Sequence, residues 1–189
     1  MFGEFETEPL LRRGTSGMIE SILVGVLSGL ASSALFLLLL FRLRPKVDIS
    51  PEIADQSDNA GPCFAFKLVN RSRYQAFDIS LEAILITPRQ VPGGPVNNAK
   101  EVTLRKSHFH ECGGFSLKDT EAHYAFRVAT FDDLRSLWIS DTQYLRVNVV
   151  SRHALSGFSN VQTMVFNTKA QIKRGKHRFG NHLSVEPVE

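Results

Sequence analysis

Two patterns of apolar residues divide the chain. Residues 22–41 carry no charge and no proline, and their polar members are all small serines. About 20 apolar residues at about 1.5 Å each cover the roughly 30 Å hydrocarbon layer of a bilayer. A segment in that layer must satisfy its own backbone hydrogen bonds, so the run predicts a membrane-crossing helix, placed at residues 18–43. Arg42, Arg44 and Lys46 follow at once, with Pro45 between them as the helix stop. The run is longer than the apolar stretch of a signal peptide and lacks a small-x-small cleavage site after Phe41. It has no polar face either, which excludes a half-buried soluble helix.

Beyond Pro45 the apolar positions recur every second residue instead of every third or fourth. Residues 46–50 alternate and predict a strand, and residues 51–62 read as a loop from their Pro, Asp, Asn and Gly content. Strands are predicted at 63–70 and at 77–86, the latter with Phe77, Ile79, Leu81 and Ala83 inward. Residues 87–100, with Pro88, Pro92, Pro95, Gly93 and Gly94, predict a long loop. Further strands are expected at 101–109, with Val102, Leu104 and Lys106 on one face, and at 124–129. A helical turn is expected within 132–138, and a hairpin from 144–151 and 161–166. Short strands at near-regular spacing with no long amphipathic helix predict an all-β, immunoglobulin-like (E-set type) antiparallel sandwich behind one N-terminal helix. The expected organisation is a flexible tail at 1–17 (a short interfacial helix at 5–12 fits its pattern), the helix, a sandwich at 44–180 and a polar tail at 181–189.

Composition narrows the setting. The chain has 189 residues and a net charge of +3, too mild to indicate a nucleic-acid partner. Its two cysteines, Cys63 and Cys112, are too few for a disulfide scaffold and read as free thiols. Arg12 and Arg13 flank one side of the helix and Arg42, Arg44 and Lys46 the other. This bias puts the C-terminal domain in the cytosol of a cell whose plasma (inner) membrane holds the helix. Within the helix, Ser21, Gly25, Gly29 and Ser33 recur at every fourth position. Such a stripe lets a second helix approach closely, so a lone anchor implies a homo-oligomer or a membrane partner.

Several groups of residues resemble the second half of an inward-rectifier potassium channel, the prokaryotic kind above all. The helix, glycine-rich early and bulky late, runs into Arg44, Pro45, Lys46 and an alternating strand, as that family's inner helix runs into its cytoplasmic domain. Residues 64–72 and 78–85 are similar to its paired strands joined by an Asn-containing turn. Residues 145–150, 155–158 and the pair Gln162 and Thr163 are similar to its late hairpin. Gly175, Lys176, His177, Arg178 and Phe179 resemble its Gly-His-Arg-Phe ending, with Lys176 inserted. The family's His-Pro-Ile-Asp-like segment is missing, and residues 124–129 run directly into residues 130–134.

The resemblance implies the fold, anionic-lipid binding at Arg42, Arg44 and Lys46, and homo-oligomeric, tetrameric assembly. It does not imply conduction, because the sequence contains no Thr-Val-Gly-Tyr-Gly filter and no pore helix.

Other clusters were weighed for chemistry. Lys169, Lys173, Arg174, Lys176 and Arg178 form a second basic group, read as a solvated strand face or a second membrane contact. His108, His110 and Cys112 share one face of a strand, with His123 as a fourth candidate, but match no zinc signature. No metal or other cofactor is expected. Gly175 and Lys176 lack the remainder of a phosphate loop, and Ser156 and Gly157 are no nucleophile elbow, so the chain is not read as an enzyme. Asn70, Arg71 and Ser72 spell a glycosylation acceptor, relevant only to a lumenal domain. The expected function is a non-catalytic sensor and assembly module that regulates ion transport. The alternative is a signal-gated effector whose clustered helices disrupt the membrane.

Overall fold

The computed structural model describes residues 10–187. They form two compact units that divide after Arg42. The first is one helix, α1 (Leu10–Arg42). It begins inside the stretch expected to be tail, so residues 10–17 are helical. The rest of that expectation, residues 1–9, lies outside the described residues. Its segment Gly17–Arg42 is long and apolar enough to cross a membrane, with a mean hydropathy of 2.4.

The second unit is mostly β, in antiparallel sheets. Its first sheet is built around β3 (Phe64–Asn70). The strands β1 (Val47–Ile49) and β2 (Ile53–Asp55) line one edge of β3 in succession, and β7 (Ala125–Thr130) lines the other. The second sheet runs β5–β4–β8–β9, where β4 is Ala76–Val91, β5 Gly94–Glu101, β8 Tyr144–His153 and β9 Ser159–Phe166. A further strand, β6 (His108–Cys112), pairs with the start of β4. The inward faces meet in one core: Phe64, Phe66 and Leu68 oppose Leu81, Leu145 and Val147, with Trp138 and Phe166 filling the ends. Trp138 follows α2 (Leu134–Leu137), a single turn capped by Asp133, whose carboxylate accepts from the amides of Arg135 and Ser136.

The structure corrects five further expectations. The residue 87–100 loop is instead a hairpin, with Val91 opposite Gly94 and a turn in which Gly93 and Gly94 have φ of +117° and +128°. Pro88 fits there because β4 pairs with β8 only as far as Ile86, so no ladder needs its missing N–H on that side. Phe77 is not an inward residue of the main alternation. Asp78 takes φ +51°, the register against β8 shifts between Phe77 and Ser80, and Ala76 is buried instead. The expected strand at 101–109 breaks after Glu101, leaving Val102 and Leu104 against the core and Lys106 exposed. Finally, β2 interrupts the expected loop at 51–62, and the expected polar tail contains β12 (Val185–Glu186).

The C-terminal segment closes the first sheet. After a 3-10 turn at Lys169–Gln171, β10 (Ile172–Arg174) adds to β2 in parallel. Then β11 (Lys176–His177) pairs with β12. This cover explains why all seven residues of β3 are buried. Phe64, Phe66 and Leu68 face the core, and Ala65, Lys67 and Val69 face the returning chain.

Candidate functional site

The linker that leaves the helix is stitched to the sandwich. The Ser156 hydroxyl donates to the Leu43 carbonyl at 3.0 Å. Asn160 Nδ2 donates to the Pro45 carbonyl at 2.9 Å, and Gln162 Nε2 reaches the same oxygen at 3.4 Å. On the other side, the Lys46 amide donates to Ser72 Oγ at 2.8 Å and its carbonyl accepts from the Arg71 amide at 2.7 Å. These partners come from the β8–β9 turn, from β9 and from the turn after β3. Buried His153 supports the first of them, with Nδ1 3.3 Å from the Ser156 hydroxyl and its ring edge-on to Tyr74 at 5.3 Å. Burial holds its pKa below the ordinary histidine value.

Of the expected lipid-binding residues, Arg42 ends α1, whereas Arg44 and Lys46 belong to the second unit and are exposed. Ser21, Gly25, Gly29 and Ser33 all lie on α1. A methyl group built on Gly25 or Gly29 meets nothing within 4 Å, and Ser21 Oγ donates to the Gly17 carbonyl at 2.8 Å.

The second basic group is largely neutralised. Lys173 pairs with Glu52 at 2.5 Å, Arg174 with Asp55 at 3.5 Å and Arg178 with Glu186 at 3.2 Å. Lys169 sits in the 3-10 turn, and Lys176 is exposed on β11. The His108, His110 and Cys112 trio is not drawn together. The two rings meet edge to face at 5.4 Å, while the buried Cys112 thiol turns toward the His123 carbonyl at 3.7 Å. Burial pushes that thiol up to about 12. His123 is engaged by Asp119 at 3.2 Å and Glu121 at 3.1 Å. No group of three His, Cys, Asp or Glu placed to hold a metal occurs among the described residues. Cys63 and Cys112 are free thiols. Asn70 cannot serve as a glycan acceptor in this fold: it is fully buried, and its Nδ2 donates to the carbonyls of Tyr74 and Gly113 at 3.0 and 2.8 Å.

Sequence reasoning missed one cluster. On the covered face of β3, Lys67 is 2% exposed, and its Nζ donates to the carbonyls of Arg178 and, at 2.7 Å, His182. Burial, with Arg127 and Arg71 nearby, lowers its pKa to about 8. His177 is buried beside it. Its Nε2 donates to the Ala65 carbonyl at 3.0 Å, and its Nδ1 has no partner. Arg127 Nη2 donates to the His177 carbonyl at 2.6 Å. Alternation alone marks Lys67 as an outward residue of β3. Only the return of the C-terminal segment buries it, so no local signal could have singled it out.

No family model matches the chain, and no curated protein matches it. Among solved structures, the chain is similar to an X-ray structure of Northeast Structural Genomics Consortium target SoR45. The match has 9% sequence identity, covers 72% of this chain and 96% of that one, and has a TM-score of 0.32.

Proposed function

We propose that this chain is a single-pass membrane protein whose C-terminal domain works as a non-catalytic sensor. The domain is an immunoglobulin-like sandwich of the inward-rectifier type on the cytosolic side. The protein assembles as an oligomer and regulates ion transport without a potassium pore of its own. One observation carries this reading: the linker at residues 43–46 is bonded from both sides to distant parts of the sandwich. A mere tether has no need of such bonds. A linker held this way moves when the β8–β9 hairpin or the β3 turn moves, and it continues covalently into the helix.

The flanking charges complete the device. Arg42, Arg44 and Lys46 lie within five residues of sequence at the end of the apolar run. Each cation near an anionic leaflet contributes about 1 kcal/mol. The repeated small residues on α1 supply a face for close helix packing.

The test is the mass of the full-length protein in nanodiscs, measured beside the Gly25→Leu/Gly29→Leu variant. An oligomer for the parent and a smaller particle for the variant are expected. A parent that stays monomeric with no copurifying membrane partner overturns the reading.

A further inference from the structure

Among the described residues, the buried ammonium of Lys67 has no counter-ion. None of the ion pairs among the described residues involves it. A lysine has three N–H donors, and the Arg178 and His182 carbonyls take two. Three acids on flanking segments have other partners: Asp48 pairs with Arg71 at 2.8 Å, Glu52 pairs with Lys173 at 2.5 Å, and Glu121 lies 3.1 Å from the His123 ring. Arg71 and Arg127 add like charge around Lys67 rather than relieving it. Burying a charge without a partner is costly, so such groups persist mainly where function needs them.

Lys67 also lines a cavity. Lys67 and Arg127 line a space of about 260 Å³ together with Phe126 and Phe179, and Glu121 also borders it. The volume falls a little below the roughly 300–1,000 Å³ of drug-sized ligand pockets, so the occupant is small. The aromatic residues add a second element of recognition. Phe126 is braced against Phe109 with ring centroids 4.6 Å apart. Phe179, by contrast, is 62% exposed on the cavity wall. Two cations and an exposed ring beside one space match a ligand that joins an anion to a flat ring.

We propose that this cavity binds a small phosphate monoester carrying an aromatic ring, with Lys67 and Arg127 on the phosphate and Phe179 on the ring. This rests on the sensor reading above and names its signal. A short route leads from the cavity to the linker. Lys67 holds the His182 carbonyl, and Arg71 Nη2 donates to the neighbouring Asn181 carbonyl at 3.2 Å. The Arg71 amide in turn holds the Lys46 carbonyl at 2.7 Å. A phosphate that draws the Lys67 ammonium toward the cavity loosens the segment that Arg71 grips.

The test is calorimetric titration of the full-length protein in phosphatidylcholine nanodiscs. The probes are the four common ribonucleoside monophosphates, with the matching nucleosides and inorganic phosphate as separate arms. Saturable binding of at least one monophosphate is expected. Its nucleoside and inorganic phosphate should each bind at least tenfold more weakly. Arg127→Gln and Phe179→Ala change exposed side chains, and each should weaken binding at least tenfold; Lys67→Met should abolish it. Absence of binding by every monophosphate at about 1 mM overturns the proposal. Affinity unchanged in both exposed-residue variants, or equal affinity for inorganic phosphate, overturns it too. An oligomer that passes the mass test yet binds none of the probes separates failure of this site from failure of the sensor reading.

Discussion

The helix and the sandwich use the same apolar residues in opposite ways. Across the apolar window of α1 the side chains are 0% buried within the protein. In the sandwich, residues of the same kinds, such as Phe66, Leu68 and Val147, are almost wholly enclosed. The helix closes its hydrogen bonds within itself and leaves its side chains exposed, over a length and with an apolarity that suit a bilayer. The sandwich closes its bonds between strands far apart in sequence, as where Ala65 faces Ala129. A substitution in the helix therefore changes one surface position, whereas one in the sandwich changes a shared interior.

The largest effect should come from the shared interior. Phe66→Ala removes a ring that packs on Phe166 at 6.1 Å, and should cost about 3–5 kcal/mol. Urea unfolding of the full chain in micelles, followed by the fluorescence of Trp138, measures this. The helical signal of α1 should persist beyond that transition. Joint loss of both signals would break the division into two regimes.

The same small substitution should act differently in the two regions. Gly175 has φ +143°, and a Cβ there would run into the Glu186 carbonyl, where β11 meets β12. Gly175→Ala should destabilise the sandwich by about 1–3 kcal/mol. Gly25→Ala meets no neighbour within the chain and should leave the unfolding midpoint unchanged. Equal shifts for the two would show that α1 is not independent of the sandwich.

A smaller effect, about 1 kcal/mol each, is expected from Ser156→Ala and Asn160→Ala, which remove hydrogen bonds to the linker carbonyls. Their sharper signature is local. Amide exchange at residues 43–46 should quicken while exchange in β8 stays slow. Unchanged exchange at the linker would show that these bonds do not restrain it.

The mildest probe is pH. Burial holds the folded-state pKa values of His153 and His177 below the ordinary 6.5. Between those values and 6.5 the unfolded chain binds more protons, so stability is full above 6.5 and falls as pH drops below it. For His177 the effect of burial is opposed by the hydrogen bond to the Ala65 carbonyl, reinforced by Lys67 and Arg127, and opposed more weakly by Glu52. The urea midpoint should fall between about pH 7.5 and about pH 5.5. The fall should shrink in His177→Gln, and a fall of the same size in that variant would remove His177 from the account.

Much of the architecture was legible in the chain. The helix declared itself because a bilayer-length apolar run has few other uses. Strands β4 and β8 declared themselves because one buried face imposes a period of two. The hairpin at β4–β5 stayed hidden because Pro88, Pro92 and Pro95 resemble a loop until β4 is seen to outrun its partner. Strand β2 is three residues long, too short for its alternation to stand out among Pro51, Ser57 and Gly61.

Of the candidate residues, only those on and just after the apolar run were legible. Arg42, Arg44, Lys46 and the small-residue stripe lie close together along the chain, so their grouping needs no fold. Lys67, Arg127 and Phe179 come from β3, β7 and the segment after β11, and nothing in their local sequence links them.

The chain by itself determined a helix long and apolar enough to cross a membrane and a β-rich domain behind it. Both follow from local periodicity and from the free energy of moving apolar groups out of water. The tertiary structure alone decided that Lys67 is buried with no counter-ion among the described residues, that Asn70 is closed to modification and that the linker is held from both sides. The first depends on the C-terminal segment and the third on the β8–β9 turn, each bonded across more than 110 residues of chain, while Asn70 is closed off by the Gly113 carbonyl, 43 residues away. Burial and pairing at that range belong to the packed molecule rather than to any stretch of sequence.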